Sequence, residues 1–480
     1  MNVSHPKIGE MSCRFRSEAN PDYRCPTPVL ADSDGYCVFH HSDEKDPGSF
    51  QEKLLEQLEA ENFDFTGYIF PEEFDWGDRT FEREVRFVEA QFLTGACFDE
   101  IRFLRDVSFE GARFTGEEVS FWGARFAGER TIFLGARFET ERVSFEFARF
   151  SGREVRFDGA EFLSEEVNFE AAVFARGRVS FAGTRFSGVT SFEDVEFNGR
   201  RALFDGTVFS GEFTRFKSAH FEAETVFRYT QFSREAYFDQ IHGADLTLSQ
   251  VRFSGAVSFA GAELDRATFR DVDLRNVSFR GVQLRDVHFI NVVWNQAIYR
   301  WAGPLRELFA RPICRDERDA NDLESYARAE DVCRQIKRVY QNAGNYQQAG
   351  EFHYGEMECA RRTRRWLSKN LGPYQLYRLV IGYGERPLRV ILTSALIILV
   401  FALPYWGSGD LFTITQNNVL QTADLFDTVY FSVVTFTTLG LGDFQPTATS
   451  WVRAIVMIEA FLGAFMMALF VLTFGRKMIR

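Results

Sequence analysis

The sequence predicts a multidomain membrane protein. It is expected to hold a four-faced β-helical solenoid, a helical hairpin connector, and a C-terminal all-α domain of two membrane spans around a re-entrant half-helix. Three observations carry this. Phenylalanine supplies 54 of 480 residues and recurs at fixed intervals through the middle of the chain. Two apolar segments of membrane length stand near the end, separated by a shorter apolar stretch and a Gly-rich turn. Charge also divides the chain: residues 1–300 carry 51 Asp/Glu against 35 Lys/Arg, a net of −16, whereas residues 301–480 carry 17 against 20, a net of +3.

These proportions limit the function classes. The slightly negative mean hydropathy averages a polar part with a membrane part. The polar opening MNVSHPKIGEMSCRFRSE contains no secretory h-region. Seven cysteines, an odd number spread over different regions, do not read as a disulfide framework. The acidic N-terminal part would repel phosphates, so nucleic acid is not expected as a direct ligand. No nucleophile–base constellation points to an enzyme, and there is no nucleotide-binding Gly-rich loop, EF-hand or arginine-rich voltage-sensor helix.

Residues 1–50 read as a zinc knuckle. Cys13, Cys25 and Cys37 stand 12 apart, and Cys37-Val-Phe-His40-His41 places an imidazole at CxxH spacing. Three thiolates and one histidine, His40 on spacing, would complete a tetrahedral Zn²⁺ site. The segment has too little apolar content to fold alone, and metal binding would supply that stability. Three unrelated reduced thiols are the alternative. Residues 51–80 are expected to form a short helix (QEKLLEQLEAEN) and a cap.

The solenoid is expected over residues 81–300. Between Phe109 and Phe181 the Phe period is 12, in steps of five and seven: Phe109-EGAR-Phe114, Phe121-WGAR-Phe126, Phe133-LGAR-Phe138. Later the step is five: Phe259, Leu264, Phe269, Leu274, Phe279, Leu284, Phe289, Trp294, each preceded two positions earlier by Ala or Val. Five fits neither a helix nor a flat strand. It fits a coil of four five-residue faces, each with two side chains inward. The tract AELDRATFRDVDLRNVSFRGVQLRDVHF resembles the pentapeptide-repeat family, which implies a right-handed quadrilateral β-helix. The five-plus-seven stretch departs from that pattern, and its two extra residues are expected at bulged corners. The beat amounts to about nine or ten coils, a rod roughly 45 Å long. Some members of that family are acidic rods that mimic DNA and bind topoisomerases. The alternative is a rigid scaffold that docks or regulates through a cytoplasmic partner, and the membrane domain on the same chain favours it.

Residues 301–366 are expected to form the hairpin, with an apolar stripe at Leu323, Tyr326, Ala327, Val332, Ile336 and Tyr340. The segment 361–389 holds eight Lys/Arg against one acid, Glu385, which marks a cytoplasmic membrane border. Trp366, Leu371, Tyr374, Tyr377, Leu379 and Tyr383 interleave with these charges, so residues 367–387 read as a basic interfacial helix.

Residues 388–480 read as the membrane domain. Val390 to Trp406 and Ala454 to Phe474 are long enough to span, the second with one charge, Glu459. Basic residues flank the start of the first and the end of the second, so both termini are expected in the cytoplasm, in the cell membrane. Arg453 is a minor exception. The intervening segment carries Asp410, Asp424, Asp427 and Asp443 and no Lys or Arg. Within it Leu425 to Phe436 is apolar but too short to cross, which suits a half-helix.

The stretch that follows, Thr437-Thr438-Leu439-Gly440-Leu441-Gly442-Asp443, resembles the filter signature Thr-x-Gly-x-Gly-Asp of two-transmembrane potassium channels. The order span, half-helix, filter, span is that of the family. The resemblance implies that the carbonyls of Thr438, Leu439, Gly440 and Leu441, with the Thr438 hydroxyl, replace the water around K⁺. Gly440 and Gly442 would supply positive φ cheaply. Thr437 and Asp443 flank the filter, Asp443 at the outer mouth. Leu439 and Leu441 stand where the family most often has Val and Tyr, which removes one hydroxyl able to brace the filter. Gly463 falls where the family commonly places a gating hinge; a small residue for helix packing is the alternative. Glu459 is expected beside the pore helix or in a water-filled crevice. One pore loop per chain implies a homotetramer. With only six residues after Phe474, regulation is expected to act from the N-terminal side. A membrane-anchored binding protein with a vestigial pore, and a DNA-mimicking rod, are the competing functions.

Overall fold

The computed structural model describes residues 12–30, 33–41, 47–72, 74–297, 310–409, 411–414, 420–446 and 451–478. The polar opening (1–11), the first connector residues (301–309), Asp410 and Arg480 lie outside the described residues. The chain forms two compact units, Met1–Asp319 and Ala320–Arg480.

In the first unit a loop-rich segment precedes helix α1, Pro47–Glu59. Short parallel strands then stack from Ile69–Phe70 to His288–Ile290. Two faces of the coil are ten-stranded ladders, and the other two merge into one seventeen-stranded sheet. Ten rungs agree with the count of Phe beats. The solenoid begins earlier than the expected residue 81, because Phe70 already pairs with Phe92 and Phe74 with Ala96. Part of the segment assigned to helix and cap is therefore the first coil. Phe65, Phe70 and Phe74 are its inward residues, but Pro71 and Trp76 disturb the beat there.

Registry explains the two periods. Phe150 pairs with Phe174, a coil of 24 residues, whereas Phe269 pairs with Phe289, a coil of 20. The Phe period of 12 is half a wide coil. Phe114, Val119 and Phe121 are all buried, while Gly116, Glu117 and Glu118 are exposed. The extra residues thus sit between one face's aromatic and the next face's small residue, at alternate corners, as expected.

The core is a set of phenylalanine columns. Phe121, Phe145, Phe169 and Phe192 stack at 4.8 Å with planes 2° to 5° apart. That distance is the spacing of parallel strands, so each ring meets its successor in offset stacking without leaving the ladder. A second column, Phe109, Phe133, Phe157, meets the first edge to face, for instance Phe121 to Phe133 at 5.6 Å and 88°. The far end is closed by an antiparallel pair, Asn295–Ala297 with Arg311–Ile313, and by helix α2, Arg315–Asp319. Asp316 accepts from Ser278 Oγ at 2.6 Å and the Phe279 amide at 2.9 Å.

The second unit is helical. Helices α3, Leu323–Asn342, and α4, Tyr346–Arg362, form the hairpin. Its buried stripe is Ala329, Val332, Cys333, Ile336, Val339 and Tyr340, while Leu323 is exposed. The expected single interfacial helix is instead two, α5, Trp366–Leu371, and α6, Pro373–Ile381. Gly372 is extended (φ −82°, ψ 179°), and Pro373 has no N–H with which to continue α5. After a turn at Gly382–Gly384 come α7, Pro387–Ser408, α8, Leu425–Phe436, and α9, Val452–Met478. Helices α7 and α9 are long and apolar enough to cross a membrane; α8 is too short. The acidic loop carries a small antiparallel sheet, Leu411–Ile414 with Leu420–Thr422 and with Phe444–Pro446, which the sequence did not reveal.

Candidate functional site

Helix α8 is aimed by its own termini. Asp424 and Asp427 form a reciprocal capping box, the Asp427 amide donating to Asp424 Oδ1 at 2.8 Å and the Asp424 amide to Asp427 Oδ2 at 3.1 Å. At the other end the Thr438 and Leu439 amides donate to Thr435 O and Val434 O, at 3.0 and 3.1 Å. Thr437 Oγ1 donates to Val433 O at 2.7 Å. These bonds terminate the helix and start the loop on its axis.

From there every second residue is left-handed: Thr438 (φ 56°), Gly440 (φ 59°) and Gly442 (φ 78°). Glycine adopts this region without penalty; a β-branched threonine does not, so Thr438 stores strain in the loop. Alternation of this kind turns successive peptide planes so that their carbonyls can face one side. Leu439 and Leu441 are about two-thirds exposed. Asp443 Oδ1 accepts from the Phe444 amide at 3.2 Å.

Helix α9 passes the C-terminus of α8 at backbone contact. A Cβ on Gly463 would lie 2.0 Å from the Phe436 carbonyl oxygen. That closeness gives Gly463 a packing role. One turn earlier, Glu459 is fully buried, accepting from Tyr405 Oη on α7 at 2.6 Å and in contact with Ser432 Oγ on α8. It faces the pore-helix surroundings, one of the two expected placements.

Much of the basic segment points inward. Buried Glu358 on α4 accepts from Arg361 Nη2 at 2.8 Å, Arg362 Nε at 3.2 Å and Tyr383 Oη at 3.1 Å, with Arg378 Nε at 3.4 Å. Burial would raise this carboxyl, but the Arg361 hydrogen bond and the charges of Arg378, Arg361 and Arg362 outweigh it and hold it at about 2. Arg386 pairs with Glu351 at 2.6 Å, and Arg389 donates to Tyr354 Oη at 3.3 Å. Of the eight basic residues at the expected border, three, Arg378, Arg386 and Arg389, thus tie α6 and the start of α7 to the hairpin, while Arg361 and Arg362 pair with Glu358 within it. The sequence hides this because Glu351 and Glu358 lie before the counted segment.

In the other unit the structure brings Cys13, Cys25, Cys37 and His40 together, all buried, with their donor atoms within 4.8 Å of one another. His41 is not part of the cluster. Cys13 Sγ to His40 Nδ1 is 3.6 Å, Cys25 Sγ to Cys37 Sγ 3.7 Å, and Cys37 Sγ to His40 Nδ1 3.0 Å. A tetrahedral zinc with sulfur arms of about 2.3 Å has sulfur–sulfur edges of about 3.8 Å, so the donor set fits that ion. His40 Nε2 donates to Thr66 O at 2.9 Å, which leaves the Nδ1 lone pair free for a metal. Thr66 belongs to the first coil, a partner that no spacing argument could supply. The hydrogen bond from Cys37 pulls the Cys25 thiol down despite burial; that same bond, then burial, pushes Cys37 up.

Comparison with known proteins defines the class. Residues 388–480 match the family described as ion channel, and residues 87–137 and 245–293 match that described as pentapeptide repeats. The chain is a pentapeptide-repeat β-solenoid joined to an ion-channel domain. Among solved structures it is similar to HetL, a pentapeptide repeat protein involved in heterocyst differentiation regulation from the cyanobacterium Nostoc. The identity is 15%, over 52% of this chain and 95% of that one, with a TM-score of 0.17. No curated protein matches the chain.

Proposed function

We propose that the chain is one subunit of a potassium-selective channel whose filter is assembled from four copies of residues 437–443. The observation that carries this is the left-handed backbone at Thr438, Gly440 and Gly442, set directly after a half-helix and between two helices of membrane length. Four such loops around one axis would present rings of oxygens from Thr438, Leu439, Gly440 and Leu441 to a dehydrated K⁺. The partly negative C-terminus of α8 would add to the attraction, and Asp443 with the acidic loop would concentrate cations outside. The bare Leu439 and Leu441 side chains are surfaces that neighbouring copies would cover. Basic residues at the start of α7 and the end of α9 favour cytoplasmic termini in the cell membrane. The acidic solenoid then serves as a cytoplasmic regulatory or docking part, with Zn²⁺ at the Cys13–Cys25–Cys37–His40 cluster holding its N-terminal segment.

The test is flux through the purified full-length protein in vesicles under a K⁺ gradient. K⁺ flux that exceeds Na⁺ flux and is blocked by barium is expected, with chemical cross-linking reaching a tetramer. Equal passage of Na⁺ and K⁺, no flux, or cross-linking that stops at dimers would overturn the reading.

A further inference from the structure

Helices α7, α8 and α9 meet at one carboxyl group. Glu459, Tyr405 and Ser432 are all fully buried. The apolar stretches 390–408, 425–436 and 454–475 contain no Lys or Arg, and the groups recorded against the Glu459 carboxyl are two hydroxyls, those of Tyr405 and Ser432. An ionised carboxylate without a cation or full hydrogen bonding is costly in such surroundings.

The hydrogens can be counted. Tyr405 Oη lies 2.6 Å from Glu459 Oε2 and has one hydrogen to give. Ser432 Oγ lies 2.9 Å from the Ile398 carbonyl oxygen and also touches Glu459 Oε1. A hydroxyl carries one hydrogen, and a carbonyl oxygen carries none. The one Ser432 hydrogen can serve Ile398 O or Glu459 Oε1, so both contacts are hydrogen-bonded at once only if Glu459 supplies a second hydrogen.

We infer that Glu459 is a protonated carboxylic acid, donating from Oε1 to Ser432 and accepting at Oε2 from Tyr405, and that it is the positioning residue for the pore helix. The placement supports the second half. Glu459 and Gly463 are one turn apart on α9, and their contacts, Ser432 and Phe436, are one turn apart on α8. Two points fix both the rotation and the height of α8 against α9, and the loop 437–443 starts at the second of them. Tyr405 and Ile398 bind the same point to α7. Without the Glu459 link, α8 loses one of these two points, and its rotation against α9 rests on the Gly463 contact and on apolar packing through Phe431 and Phe436. The positioning role rests on the reading of residues 437–443 as a filter; the proton on Glu459 does not.

Infrared difference spectroscopy of the reconstituted full-length protein at neutral pH tests the proton directly. A protonated-carboxyl C=O stretch that disappears in Glu459→Gln is expected, and in Tyr405→Phe it should move to higher frequency as Oε2 loses its donor. Absence of that band, or a band indifferent to Tyr405→Phe, would overturn the assignment whether or not the protein conducts K⁺. The positioning role is read from the K⁺/Na⁺ permeability ratio. Glutamine offers the same donor and acceptor, so Glu459→Gln should stay within about twofold of wild type, and Glu459→Ala should lose about tenfold, the worth of one buried hydrogen bond. An unchanged ratio in Glu459→Ala removes the positioning role, and a Gln variant as damaged as the Ala variant means that charge is what matters. If Glu459→Ala does not assemble, Ser432→Ala cuts the same link from the other helix and should lower the ratio by about threefold or more; an unchanged ratio there overturns the role equally.

Discussion

Gly463 shows how one hydrogen atom in place of a methyl group sets a helix crossing. Its Cβ would fall 2.0 Å from a backbone oxygen that cannot rotate away, so α8 and α9 would have to separate. Gly463→Ala should destabilise the assembled pore by about 1–3 kcal/mol, the usual cost of overpacking, read as a lower temperature of thermal dissociation. Wild-type thermal stability with a changed open probability would instead assign Gly463 to a hinge. The cysteine cluster makes a second prediction at this scale. Purified protein should carry about one zinc per chain, measured by elemental analysis, and Cys37→Ser should lose most of it, because a three-donor remnant holds the ion poorly. Zinc far below one per chain, unaffected by Cys37→Ser, would contradict the site. Removing the metal should also loosen the first coil, since His40 is bonded to Thr66, and faster amide exchange at residues 65–70 would report it.

At the scale of elements, the joint between the hairpin and the membrane helices is electrostatic. Helix α6 is short and broken from α5 at Gly372, so its position depends on the Arg378–Glu358 pair and on Tyr383, which is held at φ 57°. Glu358 has a folded value near 2, below the usual 4.5. Its stabilising contribution is therefore complete above about pH 4.5 and lost as the pH falls through about 2. Between those limits the hairpin should detach from α6 before the pore domain unfolds, which limited proteolysis of residues 361–383, with pepsin in the acid range and trypsin at neutral pH, would reveal. Glu358→Gln should weaken the joint at neutral pH by about 3 kcal/mol, because it leaves Arg361 buried without its counter-charge. Cleavage that is independent of this substitution would show that the apolar contacts of the hairpin suffice.

At the scale of the whole molecule, two kinds of order are joined in one chain. The solenoid is quasi-one-dimensional: each coil touches only its neighbours, and the Phe columns repeat one contact about ten times. The ion-channel domain is the opposite: among its described residues Leu439, Leu441 and apolar helix faces are exposed, and on the proposed reading neighbouring copies cover the two leucines. A solenoid of this kind holds its shape alone, whereas the pore acquires its function through assembly. The solenoid's fold was legible because its period is written in every coil. The small sheet of the ion-channel domain was not, since its three strands are three or four residues long and one of its two pairings joins residues on either side of α8.

The sequence by itself determined the solenoid, its number of coils, its wide corners, the hairpin, the two spans and the half-helix, because each rests on a local period or on length. Spacing also predicted Cys13, Cys25, Cys37 and His40 as one cluster, and the resemblance of residues 437–443 to a channel signature supplied the expectation of a pore loop there. Only the tertiary structure decided what those residues touch: Thr66 behind His40, the Phe436 carbonyl against Gly463, Ser432 and Tyr405 on Glu459, and Glu358 among three arginines. The reason is the same in each case. Arg361 and Arg362 aside, which stand one helical turn from Glu358, these contacts join residues 20 or more positions apart, and their energies depend on distances of a few ångströms that no periodicity encodes.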